Sequence, residues 1–532
     1  MTISLFNSDT TNAPSITPGS GDVVIVAEGT TYGVPIGDGI DAPTASSVSV
    51  LVNGTLAAGS RGVDLGEGAS VTVGASGSLL GEFYGVFAAE ADTAITNNGA
   101  IVSQSYGIRF QGTGSDSGRV TNAGSVDARL EGIGVQSADL VVNNAGSITS
   151  KTNAIAGNTE AARLSVSNSG HLSGLDRAIT TAGDELSVGN SGTISATGIA
   201  IEQTGTGFEL VNDGLVRSAE NTAVKASSGA VSVVNNEKIA GGRIGVETDG
   251  SAVSIVNSGE IVGRTGAGVD HFGDDLTLTN TGIISGTTTG LVANSTGGLV
   301  VNEGTITGGD TAVSLANGAG TVDSAVVLVN RGLIAGTLAI DGDSNDRDIV
   351  RNTGTIDGAV NQEGGADRFV NGGEVAGDVT LGSGDDLYFA RGAGTVLGTV
   401  FGGTENDTLI GGTTSDGFDG GGGADRIWSK AGDDDLSGGR GTDHLFAGRG
   451  ADTVAGGDGD DRLFGGLGDD DIIGQTGDDE INAGAGDDTV AGNNQDDTIR
   501  GQGGDDLLNG GSGQDTVRGG EGHDTIEGGI FG

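Results

Sequence analysis

Cysteine is absent from the 532 residues, which excludes a disulfide framework and thiolate metal sites. Proline occurs only 4 times, Met and Trp once each, and aromatics make up 3%. A conventional globular core leans on Leu, Phe and Met, so the composition argues against one. No run of apolar residues is long enough to cross a membrane as a helix. The opening residues, MTISLFNSDTTNAPS, lack the basic start and apolar core of a cleaved signal peptide. Positive charge is also scarce: 24 Lys and Arg face 72 Asp and Glu, a net charge of −48. Such a surface repels nucleic acid and anionic lipid, so neither nucleic-acid binding nor membrane insertion is expected. It suits cations.

What the chain has is glycine, 107 residues of it, with small and β-branched residues. That composition belongs to solenoids of short strands and tight turns. From about residue 46 a marker recurs, Asn-x-Gly-x followed by Ile, Val or Leu. Clear copies begin at Asn97, Asn122, Asn144, Asn168, Asn190, Asn212, Asn257, Asn280, Asn302, Asn330 and Asn352. Degenerate copies at Asn53, Ala75, Asn235 and Asn371 bring the expected count to about fifteen coils, or about 70 Å of stacked strands. Alternating apolar residues are expected to point into each coil. The marker glycine is expected to supply a turn conformation costly for other residues, and the marker asparagines to stack as an internal amide ladder.

From residue 402 the period falls to nine, as Gly-Gly-x-Gly-x-Asp-x-U-x with U apolar. The sixth position is always aspartate: Asp407, Asp416, Asp425, Asp434, Asp443, Asp452, Asp461, Asp470, Asp479, Asp488, Asp497, Asp506, Asp515 and Asp524. The eighth is Leu, Ile, Val or Phe throughout, from Leu409 to Ile526. Calcium takes six to eight oxygens at about 2.3–2.6 Å, and glycine-rich turns offer carbonyls beside each carboxylate. Two nonapeptides close an 18-residue coil, so the aspartates fall on two edges. One edge runs from Asp407 through Asp425 to Asp515, the other from Asp416 to Asp524. An ion between neighbours on each edge gives about twelve calcium ions in all. Residues 402–532 hold 29 acids against 7 Lys and Arg, a net of −22 that such ions would nearly balance. Without them the stacked carboxylates repel, so metal binding is expected to drive folding. Glu405, Thr414 and Gln495 replace the fourth glycine, and Ser429 and Ala447 the first. Sites near 402–419 and 492–500 are accordingly expected to be poorer.

This nonapeptide segment resembles the RTX family of type I secreted bacterial proteins. The resemblance implies a parallel β-roll, export without a cleaved signal and calcium-triggered folding outside the cell. Family members usually carry a secretion signal after the repeats, whereas here only Gly528–Gly532 follow Glu527. The preceding region more loosely resembles β-helical passenger regions of bacterial adhesins and surface-layer proteins.

The expected organisation is all-β: an irregular segment over 1–45 with one strand near Val23–Ala27, a parallel β-helix over 46–340, transitional coils over 341–401, and a calcium-binding parallel β-roll over 402–532. The expected function is a secreted calcium-binding structural protein of the bacterial surface or matrix: a surface layer, filament or adhesin. Its expected partners are calcium, itself and surface polysaccharide. The alternative is a polysaccharide lyase or epimerase, which needs a base and a carboxylate neutraliser. Of His171, His271, His444 and His523, only His271 lies in a suggestive cluster, with Asp270, Asp274 and Asp275. A loop-edge cluster explains it more simply, and Arg109 reads as a solvated surface residue. Asp341, Asp343 and Asn345 begin like an EF-hand loop, but Asp346 stands where glycine is required.

Overall fold

The computed structural model describes residues 2–89, 92–111, 117–136, 139–157, 163–227, 229–315, 326–343 and 347–528. Among them every helical or extended element is a strand, and each strand pairing resolved is parallel. The protein is a parallel β-solenoid. It divides into two compact units, Met1–Gly273 with Ile284–Gly286, and Asp274–Ile283 with Thr287–Gly532.

In the first unit a typical coil carries three strands, such as Ala94–Asn97, Ala100–Ser103 and Tyr106–Phe110. Each pairs in register with its counterpart one coil on: Ser117–Asn122, Ser125–Ala128 and Glu131–Val135. Stacking puts like on like. Val120, Val142, Val166, Val188, Leu210, Val233 and Ile255 form one continuous column, each at most 1% exposed. A short coil buries little alone, so its stability comes from its neighbours. The first 45 residues are more regular than expected. They hold strands Ile3–Phe6, Val23–Val26, Thr31–Val34 and Ile40–Ala42, and Ile3–Phe6 pairs with Val23–Val26, which pairs with Ser49–Val52. Their sequence lacks the Asn-x-Gly marker, which hid coils that share only its apolar alternation.

The amide ladder forms. Asn97, Asn122, Asn144, Asn168, Asn190, Asn212, Asn235 and Asn257 each donate or accept Nδ2–H···Oδ1 bonds of 2.7–2.8 Å with the next coil. Asn122 Nδ2 also reaches the Ser147 carbonyl at 3.2 Å, so each amide bridges two coils. Asn53 does not belong to it. The ladder position in the early coils is Val26, Val52 and Val73, and Asn53 lies one residue past it. The marker glycines serve a different purpose from the one expected. Gly124, Gly146, Gly170 and Gly192 do not have left-handed φ; a Cβ on each would collide with the carbonyl of the marker glycine one coil earlier. Close coil-to-coil approach, not turn conformation, selects glycine there. Arg109 also differs from expectation. Its side chain is only 12% exposed, pairs with Glu131 at 2.8 Å, and lies in space left open by Gly134 in the next coil.

The second unit begins with three-strand coils and the same ladder, Asn280, Asn302, Asn330, Asn352 and Asn371, bonded at 2.8–2.9 Å. Toward its C-terminal part the coil contracts to two strands, as in His444–Arg449 and Thr453–Asp458. The eighth-position residues from Leu409 to Leu508 fill its core at 0–2% exposure, while Ile526 is 49% exposed.

Candidate metal centre

Each nonapeptide turn precedes a strand, so its aspartate sits at a coil corner: Asp425 before Arg426–Trp428 on one edge, Asp434 before Asp435–Arg440 on the other. The expected two-edge stacking is present. On the first edge the N–H of Asp407 donates to Asp425 Oδ1, and the pattern repeats through Asp443, Asp461, Asp479, Asp497 and Asp515 at 2.7–3.1 Å. On the second, Asp416, Asp434, Asp452, Asp470, Asp488, Asp506 and Asp524 are linked in the same way at 2.8–3.2 Å. From Asp407 to Asp506 these side chains are buried; Asp515 and Asp524 are half-buried.

One oxygen of each carboxylate is thus engaged, at Asp416 by the Gly412 N–H, which donates to Oδ2 at 2.8 Å. In eleven of them the other is not. Oδ2 of Asp407, Asp425, Asp434, Asp443, Asp452, Asp461, Asp470, Asp479, Asp488, Asp497 and Asp506 is buried with no hydrogen-bond donor. What it faces is another acceptor. A Cβ built on Gly420 would lie 2.5 Å from Asp425 Oδ2 and 2.7 Å from the Gly438 carbonyl oxygen of the next coil. On Gly456 it would lie 2.5 Å from Asp461 Oδ2 and 2.9 Å from the Gly474 carbonyl. Carboxylate and carbonyl oxygens thus converge on one point, and only a glycine at the first position leaves that point open. A buried charge without a partner is costly. A hard divalent cation with oxygen ligands fits this donor-free cradle.

The remaining glycines follow from the backbone. Position two (Gly457, φ 121°) and position four (Gly459, φ 129°) lie in the left-handed region, as do the substitutes Gln475 (80°), Glu405 (74°) and Gln495 (77°). At the degenerate first-position Ser429 the hydroxyl donates to the Ala447 carbonyl at 2.7 Å, filling the cradle with a protein donor. Lys430 Nζ reaches the Gly411 carbonyl at 2.6 Å, setting an ammonium beside the first turn of the second edge.

Electrostatics agree with the geometry. Burial pushes Asp461, Asp470 and Asp497 up to about 7 and Asp407 to about 8; the backbone N–H bond opposes the shift and neighbouring carboxylates add to it. These groups resist ionisation until a cation joins them.

Two features were missed from the sequence. The fifth position makes a second, solvent-facing ladder: Asp460 Oδ1 accepts the Asp478 N–H at 2.9 Å, and Asp469 that of Asp487 at 2.8 Å. Its signal was the repeated Asp-Asp pair. The first-edge ladder also begins before the nonapeptides. Asp348 donates its N–H to Asp367 Oδ1, Asp367 to Asp386 Oδ1 and Asp386 to Asp407 Oδ1, at 2.7–2.9 Å. Burial raises Asp367 to about 9 and Asp386 to about 7. These aspartates recur at intervals of 19, 19 and 21 residues, outside the nine-residue register, and only Asp367 and Asp386 carry Gly-x-Asp.

Other sequence candidates are placed differently. His271 is 0% exposed and 2.9 Å from Thr248 Oγ1 through Nδ1, so it lies inside its coil rather than in a groove. Asp270 beside it is half-buried, and Asp274 and Asp275 are exposed. Of the EF-hand-like residues, Asn345 and Asp346 lie outside the described residues. In the first unit Asp38, Asp41 and Asp64 have carboxylate oxygens within 4.8 Å of one another, with Arg61 paired to Asp64.

A family model described as the RTX calcium-binding nonapeptide repeat (4 copies) matches residues 401–436, 428–463, 437–472, 464–499 and 500–530. No curated protein and no solved structure is significantly similar to the chain. The last quarter of this protein, residues 401–530, therefore consists of RTX calcium-binding nonapeptide repeats.

Proposed function

We propose that the chain is a secreted calcium-binding structural protein of a bacterial surface or extracellular matrix, acting as a surface layer, filament or adhesin. The sixth-position aspartates from Asp407 to Asp524 are its calcium ligands in this reading. The observation that carries it is the ladder of buried carboxylate oxygens facing carbonyls with no donor between them. Each interval between coils takes one ion, about twelve in all if every interval is filled. The Ser429 hydroxyl and the Lys430 ammonium lower occupancy at the start of the second edge. The asparagine coils need no ion, because each amide supplies the donor that a carboxylate lacks. They form a scaffold folded in any medium, and the roll folds outside the cell, where calcium is plentiful. Export is of the type I kind. Calcium-folded coils then present strand edges for association with further copies or with surface polysaccharide.

Electron microscopy of purified protein in calcium and in chelator tests the structural role. Ordered polymers in calcium alone are expected. Monomers in both media, with cleavage or epimerisation of a uronate polymer, would replace this reading with an enzymatic one.

A further inference from the structure

We infer that the chain binds divalent cations beyond its nonapeptide repeats, in the coils that carry Asp348, Asp367 and Asp386. The inference rests on the reading that the roll aspartates are calcium ligands. It concerns residues outside the segment matched by the repeat family, which starts at residue 401.

Three observations converge. The first is register. Asp348, Asp367 and Asp386 immediately precede Ile349–Asn352, Arg368–Asn371 and Leu387–Ala390, as Asp407 precedes Thr408–Ile410. These strands pair in sequence, so the four aspartates form one column with the first edge of the roll. The second is burial without compensation. Asp367 and Asp386 are each 2% exposed, Oδ1 takes the N–H of the preceding aspartate, and Oδ2 has no donor. The Gln362 side chain, 0% exposed, also has neither amide atom hydrogen-bonded, leaving a neutral oxygen available as a ligand. The third is the cradle. A Cβ on Gly342 would lie 2.5 Å from Asp348 Oδ2 and 2.6 Å from the Gln362 carbonyl oxygen. On Gly402 the corresponding distances are 2.5 Å to Asp407 Oδ2 and 2.7 Å to the Gly420 carbonyl. The same convergence of carboxylate and carbonyl thus recurs at Gly342, while in the two coils between them Gln362 and Leu381 hold the glycine's place, so a side chain rather than an open point stands beside Asp367 and Asp386.

The two ladders overlap in these coils. Asn352 and Asn371 still bridge by their amides at the far end of the strands whose near ends follow Asp348 and Asp367. At the next coil Ala390 takes the asparagine position and the carboxylate column continues alone. Cations here join the calcium-dependent roll to a scaffold that holds itself together by amides, giving the roll a folded coil on which to start.

The test is a count of bound calcium on the full chain by equilibrium dialysis, comparing wild type, Asp367→Asn, Asp386→Asn and Asp461→Asn. Asparagine keeps the Oδ1 acceptor and removes the charge. Loss of one or two ions from Asp367→Asn is expected, and of at most one from Asp386→Asn, where Leu381 stands in the glycine's place, with the roll's remaining ions retained. Wild-type stoichiometry in both Asp367→Asn and Asp386→Asn would overturn the inference, provided Asp461→Asn loses ions. No loss in Asp461→Asn as well would instead sink the reading of the roll. Hydrogen exchange of wild type needs no variant to fold: protection of residues 349–390 should rise on adding calcium, and equal protection in chelator would also overturn it.

Discussion

Asp461→Asn should change the stability of the roll in opposite directions with and without calcium. Its Oδ1 accepts the Asp443 N–H at 2.8 Å, and an asparagine oxygen preserves that bond. Its Oδ2 is buried without a donor and faces the Gly474 carbonyl, where an asparagine Nδ2–H can donate. In the metal-free fold, burial, opposed by the N–H bond and reinforced by Asp443 and Asp479, raises its pKa from 3.8 to about 7. A carboxyl raised in this way contributes stability below its unfolded pKa and loses it as pH rises through the folded one. Above pH 7 the ionised group therefore costs the metal-free fold about 4 kcal/mol, which the amide removes. In calcium the same change deletes a charged ligand shared by two intervals. Folding driven by trimethylamine N-oxide in chelator at pH 8 should need less osmolyte for the variant. Urea unfolding in calcium should need less urea. Destabilisation in both media would refute the claim that the ladder is an uncompensated charge completed by cations.

Further expectations use the same geometry. In chelator, circular dichroism should show the roll gaining β structure as pH falls through the range of about 8 to 6 spanned by Asp407, Asp461 and Asp488, because those raised carboxyls become neutral; in calcium, acid should weaken it as protons displace the ion. Gly459→Ala should lose calcium-dependent folding of its turn, since φ is 129° and a Cβ would strike the Gly441 carbonyl. Gln475→Gly, at φ 80°, should gain about 1 kcal/mol in urea unfolding with calcium present. Asn190→Ala removes an amide bonded to Asn168 and Asn212 at 2.7 and 2.8 Å and should cost about 3 kcal/mol, equally in calcium and chelator.

Much of this was legible in the sequence because a solenoid converts one-dimensional period into stacking. The nine-residue register located every roll aspartate on its edge, and the Asn-x-Gly marker located the amide ladder. The failures have physical causes. Asn53 carries the marker's letters but stands one residue beyond the ladder position, where Val52 is buried. Marker glycines looked like turn residues because letters do not distinguish a φ requirement from a steric one; only the neighbouring coil's carbonyl does. The Gly-x-Asp of Asp367 and Asp386 is readable in the transitional coils, but their 19-residue spacing hides that they share the roll's column. Arg109 became covered through a glycine and a glutamate one coil away, a pairing visible only once the coils were in register.

The central claim is that cations, not protein groups, complete the roll while amides complete the solenoid before it. Hydrogen exchange of the full chain at pH 7.5, in millimolar calcium and in chelator, addresses it directly. The strands from Ala94–Asn97 to Ala252–Asn257 should be protected in both media, and those from Arg426–Trp428 to Leu507–Ser512 only in calcium. Protection of the latter in chelator, equal to that in calcium, would contradict the account.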